Sequence, residues 1–208
     1  MTHNYKINEG TEYERDYGII VPFGPLDADL EECKEFILSD EGRKIIEREH
    51  WVDPDIPYNW AKLPRKCFYD LFYEVRSEFF NNIDDLGIDT GVPHMFHGWI
   101  NIFEKGDRIG WHSHCDTYDP HFYHGVICID DGGGSYTEYR HHETKEELYK
   151  MESKVGCGHF IGDMITEHRS SPNESDEPRI TLAFDIVPFE SYAPQFTAPV
   201  CRHHIPFC

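Results

Sequence analysis

The chain has 208 residues, 39 of them acidic and 19 basic, for a formal net charge of -20 with neutral histidines. That length holds one domain with a sizeable core, and 14% aromatic with 39% hydrophobic residues excludes a disordered chain. The acid excess speaks against nucleic acid and anionic membrane surfaces, both of which need a basic patch, and it suits a cationic substrate.

The opening residues, MTHNYKINEGTEYERD, are polar and carry no apolar signal core. No run approaches the roughly 20 apolar residues that span a bilayer. Seven scattered cysteines lack the dense spacing of a disulfide framework. Together these lead to the expectation of a soluble, cytoplasmic protein with reduced thiols. With no repeat and no low-complexity linker, a single domain is expected: a helical layer over 1–90, a core over 91–190 and a tail over 191–208.

In the first half, Leu30, Cys33, Phe36, Ile37 and Ile45 fall near a helical period in LEECKEFILSDEGRKIIEREH. A second helix is expected from about Arg65 to Asn82, with Phe68, Leu71, Phe72, Val75 and Phe79 on one face and Pro64 at its start. After Gly87 short runs alternate with turn signals: HMFHGWINIF, RIGWHSH, YHGVICI, YTEYR, GHFIGDM and RITLAFDIV. Such spacing predicts an antiparallel sandwich or barrel, giving a mainly β fold with N-terminal helices. Asp131-Gly132-Gly133-Gly134 reads as a turn, because the Lys and helix of a phosphate loop are missing. ETKEELYKM, near 143–151, is expected to be a helix.

The chemistry concentrates in Trp111-His112-Ser113-His114-Cys115-Asp116. On a strand, residues two apart share a face, so His112, His114 and Asp116 can project together. An imidazole and a carboxylate two positions apart, joined by a distant His168, make a two-His, one-carboxylate face with open positions on Fe(II). Arg179 lies eleven residues past His168 in an Arg-x-Thr pattern. Its planar fork matches a carboxylate, and Thr181 adds a hydroxyl on the same face. Asn101 and Trp99 share a strand face entering the site and are candidates to contact cosubstrate or substrate. Tyr118, His121, Tyr123 and His124 crowd the following loop as a candidate lid. The tail, with Cys201, His203, His204 and Cys208, offers zinc-type ligands in a spacing that matches no standard finger.

The segments Trp99 to Asp116, His124 to Ile129 and His168 to Phe184 resemble the 2-oxoglutarate/Fe(II) oxygenase superfamily. Within it they are most like bacterial and phage members near the prolyl-hydroxylase-like branch. The resemblance covers roughly residues 95–187. It implies a double-stranded β-helix (jelly-roll) core, iron on His114, Asp116 and His168, and the far carboxylate of 2-oxoglutarate on Arg179 and Thr181. It also implies O2-dependent hydroxylation of a C–H bond with release of succinate and CO2. Counted from Gly106, the family's first ligand falls on His112 instead, which with His114 gives an all-histidine site. A small-molecule or amino-acid substrate is expected. The competing expectations are a cupin-like metalloenzyme that does not use 2-oxoglutarate, and a non-enzymatic metal-binding jelly roll.

Overall fold

The computed structural model describes residues 20–47, 59–86, 89, 91–114, 122–162, 166–189 and 204–207. Its first strand, β1 (Ile20–Phe23), was hidden in a region that reads as helical. Helix α1 (Leu30–Leu38) starts where the Asp29 carboxylate accepts from Glu32 N at 2.9 Å. The expected continuous helix breaks at Ser39, whose backbone is extended. Ser39 Oγ then accepts from Gly42 N at 3.1 Å, so the break opens α2 (Asp40–Glu47). Gly42 makes this tight join possible, since a Cβ there would lie 2.0 Å from the Phe36 carbonyl oxygen. Helix α3 (Lys66–Asn81) matches expectation and buries Cys67, Phe68, Leu71, Phe72, Val75 and Phe79. The short α4 (Ile83–Leu86) follows.

The remaining strands are β2 (His94–Phe103), β3 (Tyr123–Asp130), β4 (Tyr136–Arg140), β5 (Glu147–Glu152), β6 (Gly158–Ile161), β7 (Glu167–Ser170), β8 (Arg179–Pro188) and β9 (Ile205–Pro206). They form a six-stranded sheet in the order β1-β6-β3-β8-β2-β9 and a three-stranded sheet in the order β5-β4-β7, the two layers of a jelly roll. RIGWHSH adds only an isolated bridge, His112 opposite His168, to the outer edge of β7. The helix expected over 143–151 is instead strand β5. Period two wins there because Tyr149 and Met151 pack on Tyr139, Ile20 and Ile161, and β4 satisfies the backbone.

Alternation divides the large sheet into two faces. Phe96 and Ile100 of β2, Ile127 and Ile129 of β3, and Ile180, Leu182, Phe184 and Ile186 of β8 join Phe36, Phe68, Leu71 and Phe79 in one core under the helices. Each such buried side chain contributes about 1.5–3 kcal/mol. Trp60 pins this layer: it is fully buried, donates from Nε1 to Ala183 O at 3.0 Å, and occupies the space a Cβ on Gly98 would need. The opposite face carries His97, Trp99 and Asn101 of β2, His124 and Cys128 of β3, and Arg179, Thr181 and Asp185 of β8. It faces the three-stranded sheet, and the site forms there. No helix among the described residues is long and apolar enough to cross a membrane.

Candidate metal and carboxylate site

His112 and His168 are brought together by backbone pairing. His112 N donates to His168 O at 3.1 Å, and His168 N donates to His112 O at 2.9 Å. Trp111 holds this edge from outside, with the Arg140 guanidinium 4.2 Å and the Arg169 guanidinium 4.6 Å from its ring centre. Both arginines are paired to carboxylates, Arg140 with Glu167 and Arg169 with Glu138. His114 follows two residues on, so three rings converge. Centroids are 4.2 Å apart for His112 and His168, 5.3 Å for His112 and His114, and 5.0 Å for His114 and His168. One ligand atom from each lies within 4.8 Å of the others, the spacing of donors around one ion.

The hydrogen bonds fix the tautomers. His112 Nδ1 lies 2.9 Å from the Gly110 carbonyl oxygen, an acceptor only, so Nδ1 carries the proton and Nε2 keeps its lone pair. His114 Nδ1 donates to Asp185 Oδ1 at 2.8 Å, which frees its Nε2 in the same way. Burial holds His112 and His168 below the ordinary imidazole range, and neighbouring imidazoles push His168 further down. Neutral rings with free lone pairs are what a divalent metal needs.

The second pole is Arg179, 1% exposed. Its Nη1 donates to Ser171 Oγ at 3.0 Å, and its guanidinium sits 4.0 Å from the Phe103 ring centre. Its Nε and Nη2 are buried and have no hydrogen-bond partner among the described residues. Burial brings its pKa down to about 10, which leaves it charged at neutral pH. A buried cation with two idle donors is costly unless an anion completes it. Ser171 is three residues from His168, at most about 10 Å of chain. A guanidinium with idle donors suits a carboxylate, and a carboxylate group is what this pole of the site can take. Thr181 and Asn101 lie on the same face, joined by a bond from Asn101 Nδ2 to Thr181 Oγ1 at 3.3 Å.

Of the residues expected from sequence, His112, His114 and His168 therefore meet at one point, while Arg179, Thr181 and Asn101 share one face of the large sheet. Trp99 lies on that face too, 5.6 Å from His114 and 6.0 Å from His124, ring to ring. Asp116 lies outside the described residues, as do Tyr118, His121 and the tail thiols Cys201 and Cys208. Tyr123 and His124 are not lid residues: both sit in β3, fully or nearly buried. His204 stacks on His97 with centroids 4.7 Å apart. Asp185 was missed. Its Oδ1 also accepts from His124 Nδ1 at 3.0 Å, and the His114 and His124 donors outweigh burial to hold this carboxyl well below the usual range. The signal was present in RITLAFDIV, an aspartate inside an apolar strand at an even spacing from Arg179.

No family model and no curated protein matches the sequence. The fold does match solved structures. The non-heme alpha ketoglutarate dependent epimerase SnoN from nogalamycin biosynthesis gives a TM-score of 0.55 at 15% identity, over 85% of this chain and 79% of that one. The non-heme alpha ketoglutarate dependent carbocyclase SnoK gives 0.54 at 14% identity, over 89% and 85%. A Pseudomonas putida prolyl-4-hydroxylase gives 0.53 at 15% identity, over 83% and 89%. SnoN has also been solved with Fe3+, alpha ketoglutarate and nogalamycin RO. At these identities the likeness establishes the jelly-roll fold, and it is the fold the sequence resemblance implies.

Proposed function

We propose that this chain is a non-haem Fe(II) enzyme that uses 2-oxoglutarate and O2 to oxidise a C–H bond of a small molecule or amino-acid side chain. The carrying observation is the buried Arg179 guanidinium, which has two donors without a partner among the described residues and lies on the same face of β8 as Asp185, the partner of His114. His112, His114 and His168 hold the metal. This reading takes His112 as the third ligand, because the backbone bridge to His168 sets it alongside; Asp116, the alternative, lies outside the described residues. Arg179 fixes the remote carboxylate of the cosubstrate, with Thr181 and Asn101 beside it as further donors. When bound, Fe(II) with 2-oxoglutarate supplies the oxidation, releasing succinate and CO2. The protein orients both and keeps water away. Ile20, Tyr139 and Ile161, with Tyr149 and Met151, pack an apolar cluster between the two sheets.

The test is succinate formation from 2-oxoglutarate in air with added Fe(II). The wild-type protein is expected to produce succinate, and His168→Ala to produce none. Equal rates in the two proteins refute the assignment. One observation favours a second reading: an all-histidine donor set also suits a cupin-like metalloenzyme without 2-oxoglutarate. Metal-dependent O2 consumption that ignores both 2-oxoglutarate and Arg179→Ala selects that reading.

A further inference from the structure

The proposed ligand set contains no carboxylate, yet one lies directly behind it. Asp185 Oδ1 receives two N–H donors, from His114 Nδ1 at 2.8 Å and His124 Nδ1 at 3.0 Å. The three side chains are largely enclosed, with His114 9%, His124 6% and Asp185 19% exposed. Strand register creates the contact, because Asp185 of β8 stands opposite His124 of β3. The His124 ring lies 4.0 Å from His114 and 4.9 Å from His168, centroid to centroid.

We infer that Asp185 is the carboxylate of this metal centre, acting through the His114 imidazole rather than on the metal. This rests on the reading that His114 is a ligand. A carboxylate that accepts from Nδ1–H orients the ring, fixes the tautomer that leaves Nε2 for the ion, and raises the basicity of that nitrogen. The negative charge that a direct aspartate ligand gives to Fe(II) is thereby supplied one bond further out. His124 is the second donor. It satisfies the same oxygen and holds the carboxylate in place, so it is a positioning residue and not a ligand. His114, His124 and Asp185 also offer ligand atoms within 4.8 Å of one another, a second possible donor set. The Nδ1 to Oδ1 contacts of 2.8 and 3.0 Å are hydrogen bonds, and they assign this set to the layer behind the metal.

The experiment is anaerobic Co(II) titration without cosubstrate, read by affinity and by the visible spectrum of the bound ion. Asp185→Asn keeps the size of the side chain and removes its charge. It is expected to weaken Co(II) binding about 10–100-fold and to shift the spectrum. His124→Phe removes one donor to Asp185 but leaves the His114–Asp185 bond, and is expected to cost less than Asp185→Asn, below about tenfold. Unchanged affinity and spectrum in Asp185→Asn overturns the inference while leaving the metal site intact. Loss of binding in His124→Phe also overturns it, by making His124 a ligand. A wild-type protein that binds no Co(II) removes the functional reading together with the inference. Should Asp185→Asn not fold, nitrogen-15 NMR of the wild-type histidines decides: both His114 and His124 must be Nδ1–H tautomers, and an Nε2–H form of either overturns the inference.

Discussion

Replacing Arg179 with methionine separates two roles that a buried guanidinium can serve. Among the described residues the side chain makes one charged hydrogen bond, to Ser171, and one face-on contact, with Phe103. Those contacts are worth about 1.5–3 kcal/mol and about 2 kcal/mol. Against them stands the cost of burying the ion, several kcal/mol after relaxation, with Nε and Nη2 left idle. The two sides nearly cancel, so apoprotein stability should change by no more than about 2 kcal/mol. That corresponds to a shift of about 4–8 °C in Tm for a chain of this size. Cosubstrate binding behaves differently. Two charge-assisted bonds from Nε and Nη2 to a carboxylate, at about 1.5–3 kcal/mol each, amount to about 3–6 kcal/mol. At about 1.4 kcal/mol per tenfold, the Kd for 2-oxoglutarate rises about 10²- to 10⁴-fold. Calorimetry on the Mn(II) form measures that Kd, and thermal unfolding of the apoprotein measures the other quantity. Unchanged 2-oxoglutarate affinity in a folded Arg179→Met protein refutes the reasoning, and so does a loss fully matched by apoprotein destabilisation.

Three further outcomes follow from the geometry. His112→Ala should weaken Co(II) binding by more than about 100-fold, beyond the cost of an outer partner, while Asp116→Ala stays within about tenfold; competition with a chromogenic chelator distinguishes them. Gly98→Ala places a methyl 2.2 Å from Trp60 Nε1 and should destabilise the fold by about 1–3 kcal/mol, seen in urea unfolding with m unchanged. Burial works to raise the Glu167 pKa, but Lys145 and Arg140 outweigh it and hold the group low. Its contribution is therefore present above the ordinary glutamate range and lost as pH falls through the depressed value. Glu167→Gln should flatten the acid limb of the stability profile below about pH 4.3.

The strands of the jelly roll were legible because alternation and turn chemistry agree over β2, β3, β4 and β8. Where they conflict, the sequence misleads. ETKEELYKM has helix-forming composition, but Tyr149 and Met151 find apolar partners only at period two. Ser39 broke an otherwise continuous helical pattern through its own side chain, a local competition that periodicity does not register. IVPF is four residues long and carries Pro22, too little to announce itself as a strand. In the site, His112, His114, His168 and Arg179 were visible as an ordered set, but the bridge that sets His112 beside His168 is a strand pairing that local spacing does not reveal. The Asp185 contact requires the β3–β8 register, which no local pattern encodes.

The most direct test of the central claim is anaerobic addition of Fe(II) and then 2-oxoglutarate to the apoprotein, followed by visible absorption. The account predicts a weak metal-to-ligand charge-transfer band in the wild-type protein. In Arg179→Ala the band should be absent at the cosubstrate concentration that saturates wild type, with Fe(II) still bound. Tight Fe(II) binding with no band at any 2-oxoglutarate concentration contradicts it.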